Sequence, residues 1–215
     1  MPAPEPQRPG RPTARQTSLF AGQGEPVSPA PPAARLVMVA RQLQRWRQDL
    51  GQFQAPLFRA GGAGSGQGEL FAPADASGGA GCDAAAINPL ELCGQALSFW
   101  RWPQAPHRGA ALYFVLDGAV AEADHPALLL YVGETGQADQ RWKGEHDCKH
   151  YLAAYREALA AAGLESRLSI RFWLDAPGDG RRRRALEQAL IRRWLPPFNK
   201  ETRQRWATPF TAGAL

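Results

Sequence analysis

From Ala110 onward the apolar residues come in short, bounded runs. Ala111–Leu116 (ALYFVL) and Ala127–Val132 (ALLLYV) are continuous apolar stretches separated by a loop holding Gly118 and Pro126, and predict two strands. Arg167–Leu174 (RLSIRFWL) alternates and is rich in β-formers, which predicts a third. Residues 136–142 suggest the start of a helix, and His150–Ala162 reads as an Ala-rich one. Arg181–Trp194 sets Leu186, Leu190, Ile191 and Trp194 on one helical face and stops at Pro196-Pro197. The order ββααβα predicts an α/β (α+β) domain over residues 109–210, a small, mostly antiparallel three-stranded sheet flanked by helices.

Upstream the pattern is different. Ala33–Leu50 spaces Leu36, Leu43, Trp46 and Leu50 for an amphipathic helix, with Gly51 as its stop. Around it lie a Pro-rich stretch, 1–32, and a Gly-rich one, 59–81, with GGAGSGQG. Residues 82–108 are transitional: Asn88-Pro89 marks a turn, and Phe99, Trp100 and Trp102 form an aromatic cluster expected to pack on the following domain. The first 80 residues hold 11 of the 19 Pro and 11 of the 22 Gly and few large aliphatics. Such a segment buries too little apolar surface to offset its ordering entropy. Residues 1–81 are therefore expected to be a mostly disordered arm, which excludes a single 215-residue globule.

Charge and cysteine content narrow the setting. The net charge is +5 and the pI near 9.5, and Arg outnumbers Lys 22 to 3. Guanidinium groups suit bidentate phosphate contacts, although a GC-rich genome enriches Arg as well. Cys82, Cys93 and Cys148 form no CxxC pair, the first residues lack an apolar signal segment, and the apolar runs are too short to span a bilayer. A cytoplasmic, nucleoid-associated protein with no membrane partner is the expectation.

Chemistry concentrates in the domain. Tyr113 is central in the first predicted strand, and Tyr131 precedes Gly133 by two near the end of the second. Were this all, two tyrosines packed in a core would be the simpler reading. Arg141 follows Tyr131 by ten residues, His146 by fifteen; Glu187 sits mid-way along the last helix, with Asn199 twelve residues on in PPFN. This series resembles the GIY-YIG nuclease family. Ala111-Leu112-Tyr113 stands for the first signature tripeptide, with Ala where Gly is usual, and Tyr131-Val132-Gly133 for the second. Arg141, Glu187 and Asn199 match the family's arginine, glutamate and asparagine. The family's His or Tyr position falls on Glu145, leaving His146 as the candidate and His150 in reserve.

The resemblance implies phosphodiester hydrolysis, with Tyr113 as general base once its pKa is lowered and Tyr131 hydrogen-bonding the base or the phosphate. Arg141 would clamp the phosphate's developing charge, and Glu187 would hold one Mg²⁺ (or Mn²⁺) largely through water. Gly133 and Asn199 would give support, Asn199 by tying the tail to the sheet. Taken alone, Glu187 could simply pair with Arg183 or Arg184, and the HxCxH series at His146, Cys148 and His150 lacks a usual zinc spacing. The basic set Arg181, Arg182, Arg183, Arg184, Arg192, Arg193, Lys200 and Arg203 reads as a solvated helix face or, beside Glu187, as a track for a duplex backbone.

The arm adds a repeat. Gln16-Thr17-Ser18-Leu19-Phe20, Gln54-Ala55-Pro56-Leu57-Phe58 and Gln67-Gly68-Glu69-Leu70-Phe71 are all Q-x-x-L-F. The pentapeptide resembles the bacterial sliding-clamp binding motif, in which Gln bonds a pocket rim and Leu-Phe fill it. Repeated short anchors on a tether gain by effective concentration. The alternative is that the Leu-Phe pairs tack the arm onto its own domain. Together these features lead us to expect a clamp-tethered, structure-specific DNA endonuclease of repair or replication. The alternatives are a non-catalytic DNA- and clamp-binding adaptor, or a site-specific endonuclease, for which a replication tether has little use.

Overall fold

The structure, a computed structural model, describes residues 39–60, 83–97, 108–119, 125–141, 147–207 and 210. Gln16, Leu19, Phe20, Gln67, Leu70, Phe71, His146 and the aromatics at 99, 100 and 102 lie outside them. The elements are α1 (Ala40–Ala60), two short 3₁₀ turns (Ala84–Ala86 and Pro89–Glu91), β1 (Gly94–Ala96), β2 (Ala111–Asp117), β3 (Leu128–Thr135), α2 (Asp147–Ala161), β4 (Leu168–Trp173) and α3 (Gly180–Trp194). The sheet has four antiparallel strands in the order β1-β4-β2-β3 rather than three. The added edge strand, GQA, has no β-forming residue, and pairing with Ser169–Arg171 alone makes it a strand. Residues 138–141 form turns, not a helix. Asn88 does mark a turn, its side chain accepting from the Leu90 N–H.

Strand β2 is buried at every position, so both faces of the sheet are covered. Tyr113, Val115, Leu128, Leu130, Ile170 and Phe172 pack with α2 residues Leu152, Tyr155 and Leu159. Leu112, Phe114, Leu116, Leu129 and Val132 pack with Leu186, Leu190, Ile191 and Trp194 of α3. The β2–β3 ladder slips between Val115 and Leu116: Val115 faces Tyr131 and Leu116 faces Leu129, which leaves Leu130 as an extra residue. Such a bulge re-aims the strand. It puts both Leu130 and Tyr131 on the α2 side, where strict alternation would have sent Tyr131 to the other.

The helix expected at 33–50 instead runs to Ala60, through Gly51 and Pro56. Tertiary contacts override both breakers. Leu43, Trp46 and Leu50 enter one core and Phe58 the other, while Gly51 leaves room for the His125 ring, which a Cβ would meet at 2.4 Å. Buried Arg47 pairs with fully buried Asp117 at 3.5 Å, and Asp117 also accepts from Tyr155 Oη (2.9 Å) and the Arg167 N–H (2.8 Å). The domain expected to start at 109 thus includes α1 and β1.

The open edge of β3 is closed by side chains. Gln54 donates to the Leu129 carbonyl (3.0 Å) and accepts from the Leu129 N–H (2.8 Å). Asn199 does the same for Val132, at 2.8 and 3.0 Å. Phe198 N–H adds a bond to the Leu130 carbonyl. Two carboxamides therefore imitate a neighbouring strand on an edge that would otherwise template pairing. For Asn199 this is the expected tie between tail and sheet. Among the described residues no helix is long and apolar enough to cross a membrane.

Candidate active site

Tyr113 and Tyr131 lie on adjacent strands and stack, with ring centroids 5.9 Å apart and planes 27° from parallel. The stack depends on Gly133, the register partner of Tyr113: a Cβ there would meet the Tyr113 ring at 2.3 Å. Arg141, from the turn after β3, donates from Nε to Tyr113 Oη at 2.9 Å and lies over the Tyr113 ring. Arg141 and Tyr131 open into a cleft of ≈ 400 Å³, also lined by His150, Glu187, Asn199 and Lys200. Four elements converge there: β3 with its following turn, the first turn of α2, the middle of α3 and the segment after it.

Tyr113 itself is fully buried and lies behind the cleft wall. Burial, helped by Tyr131, raises its phenol well above the usual value despite Arg141. Its pKa is raised rather than lowered as a general base would require, and the phenol accepts the Arg141 hydrogen bond. Half-buried Tyr131 is also raised, by burial and then by Cys148. Burial opposes the Arg141 charge, but the two phenols outweigh it and raise the pKa. Cys148, buried in the cleft wall, has its thiol pushed up by burial.

Glu187 follows the same trend. Its carboxyl is pushed up to about 7, first by burial and then by the Glu134 carboxylate. A backbone hydrogen bond from Glu134 and the charge of Arg141 work the other way, while Glu201 adds to the rise. A desolvated carboxylate that also feels the negative charge of Glu134 and Glu201 is relieved by a cation. Mg²⁺ is commonly held by one carboxylate plus waters and substrate phosphate oxygens, so the donor set fits one such ion at Glu187. Among the described residues no three His, Cys, Asp or Glu side chains gather into a ready-made metal cage.

The basic track divides. Arg181, Arg182, Arg184, Arg192 and Lys200 are exposed, and Arg193 and Arg203 half-buried. Arg183 is buried, with an ion pair from Nε to Glu134 (2.5 Å) and bonds from Nη1 to the Pro177 and Gly178 carbonyls. It is a structural residue, not a contact for a backbone track, and it turns to Glu134 rather than to Glu187 one helical turn on. Lys200 reaches across the cleft mouth to Asp147 at 3.5 Å. Gln54 and Phe58 are likewise buried in the fold, with Leu57 half-buried, so the middle pentapeptide is not part of a disordered arm.

Glu134, Asp147 and Glu201 were not legible as part of the site, and Cys148, weighed only as a zinc ligand, is a buried part of the cleft wall. Glu134 directly follows Tyr131-Val132-Gly133, and that adjacency was its one available signal. Comparison with protein-family models, curated proteins and solved structures gives no match to this chain.

Proposed function

We propose that this chain is a metal-dependent DNA endonuclease of GIY-YIG type. The observation that carries the reading is that Tyr131, Arg141 and Glu187, well separated in sequence, line one cleft with Tyr113 bonded behind Arg141. Arg141 receives the scissile phosphate and offsets its developing charge. Tyr113 holds that guanidinium in place, and Tyr131 bonds substrate from the cleft wall. Glu187 would hold the cation, which when bound would supply Lewis-acid stabilisation of the charge developing in the reaction. His150, the imidazole lining the cleft, accepts a proton from the attacking water as the new P–O bond forms and the bond to the 3′-oxygen breaks. Exposed Arg181, Arg182, Arg184 and Arg192 track the flanking phosphates. The Q-x-x-L-F copies at 16–20 and 67–71 tether the enzyme to a sliding clamp.

A second reading, a DNA- and clamp-binding adaptor that keeps the nuclease fold, is favoured by the full burial of Tyr113 behind the cleft wall, out of reach of a substrate. Incubating linear, flap and branched DNAs with the full chain and Mg²⁺ or Mn²⁺ tests the choice. Cutting by the wild type and its loss in Glu187→Gln supports the nuclease. Binding without cutting on every substrate supports the adaptor.

A further inference from the structure

The middle pentapeptide shows how this chain reads Q-x-x-L-F. Gln54 bonds both polar groups of Leu129 and the Trp194 carbonyl (3.0 Å). Ala55 is buried, Pro56 faces solvent, Leu57 is half-buried, and Phe58 packs on Trp194 with centroids 4.5 Å apart. Asn88 closes the groove by donating to the Phe58 carbonyl at 3.1 Å. The three copies vary in the way this groove permits: Gln, Leu and Phe are constant, and the buried second position is small (Ala, Thr, Gly). The solvent-facing third is unrestricted (Pro, Ser, Glu).

Intrinsic helix propensity alone does not secure the present occupant. Gly51 has the poorest helix propensity after proline, and Pro56 cannot donate to the carbonyl four residues back. The second half of α1 thus depends on the Gln54 and Phe58 contacts. We propose that the groove between the β3 edge and the C-terminal end of α3 is a receptor for Q-x-x-L-F, and that Gln16–Phe20 is its second occupant, exchanging with Gln54–Phe58. Thr17 carries a side chain that could fill the buried second position, whereas Gly68 of the third copy has none. The 19 residues between Phe20 and Ala40 reach roughly 60 Å when extended. The distance along α1 from Ala40 to Gln54 is only ~20 Å.

The inference does not rest on the nuclease reading, and it makes the groove and the clamp competing partners of Gln16–Phe20. Its test is thermal unfolding of the full chain as wild type, Phe20→Ala, Phe58→Ala and the double variant. Phe20→Ala alone should leave Tm unchanged, because the groove is already filled. The drop caused by Phe58→Ala should be about doubled in the Phe20→Ala background, since no replacement remains. An equal drop in both backgrounds overturns the proposal, and coupling to Phe71→Ala in place of Phe20→Ala overturns the choice of occupant. Gln54→Ala replaces Phe58→Ala should the latter not fold. A labelled peptide of residues 14–22 added to the Phe20→Ala, Phe58→Ala chain should bind at least about tenfold more tightly than its Phe20→Ala form; equal binding of the two overturns it.

Discussion

Tyr113 and Gly133 face each other across the β2–β3 ladder, and the phenol ring of one occupies the space that any side chain on the other would need. The ring crosses the strand at that point to stack on Tyr131 and reach Arg141. Gly133→Ala should therefore cost about 1–3 kcal/mol of stability through overpacking and break the Tyr113–Arg141 bond. Gly178, with nothing within 4 Å of an added Cβ, gives the control: Gly178→Ala should leave chemical denaturation unchanged.

Tyr113→Phe separates base from positioner. The ring and its packing remain while the acceptor for Arg141 Nε is removed. Under the nuclease reading, cleavage should fall about 10–100-fold, and the acid limb of the pH–rate profile should stay in place. Loss of that limb would make Tyr113 the base after all.

Glu187 gives the site a pH signature. Its pKa lies near 7 in the fold against a carboxylate's usual value near 4.3 when unfolded. Between those values the native state binds the extra proton, so in the absence of divalent cations stability falls as pH rises from about 4.5 to 7 and is flat above. Relative to Glu187→Gln, the wild-type Tm should decline across that window. Titration with Mg²⁺ should show affinity weakening as pH drops below 7, since proton and cation compete for one carboxylate.

The arginine run should split in two. Arg183→Ala removes the partner of Glu134 and should destabilise by about 3 kcal/mol, seen as a lowered denaturation midpoint. Arg181→Ala, Arg182→Ala and Arg184→Ala should leave the midpoint unchanged, weaken DNA binding and flatten its salt dependence by about one counterion each. Equal stability loss in all four would contradict the division.

Strands β2, β3 and β4 and the last two helices were legible because their apolar runs and faces are sharply bounded and Pro or Gly follows each. Strand β1 was not, since Gly94, Gln95 and Ala96 become a strand only by pairing. The continuation of α1 was hidden by Gly51 and Pro56, breakers by local propensity that the His125 ring and the Trp194 pocket override. Tyr131, Arg141 and Glu187 could be grouped only through their resemblance to the family's series, and the bulge at Leu130 that brings Tyr131 to the right face was not legible at all. Arg183 looked like its neighbours because a run of identical residues carries no sign of which one turns inward.

The carboxamides of Gln54 and Asn199 set the limits of the folding unit. Between them they cover an edge strand whose own hairpin partner lies in neither of their segments. A piece beginning at residue 109, where the strand pattern starts, would lack one of these covers, the Arg47 counter-charge to Asp117, and the whole of β1. It would expose the Leu129 end of the β3 edge to other copies of itself. The shortest self-sufficient fragment should begin ahead of α1, and shorter ones should associate through β3 instead of remaining monomeric.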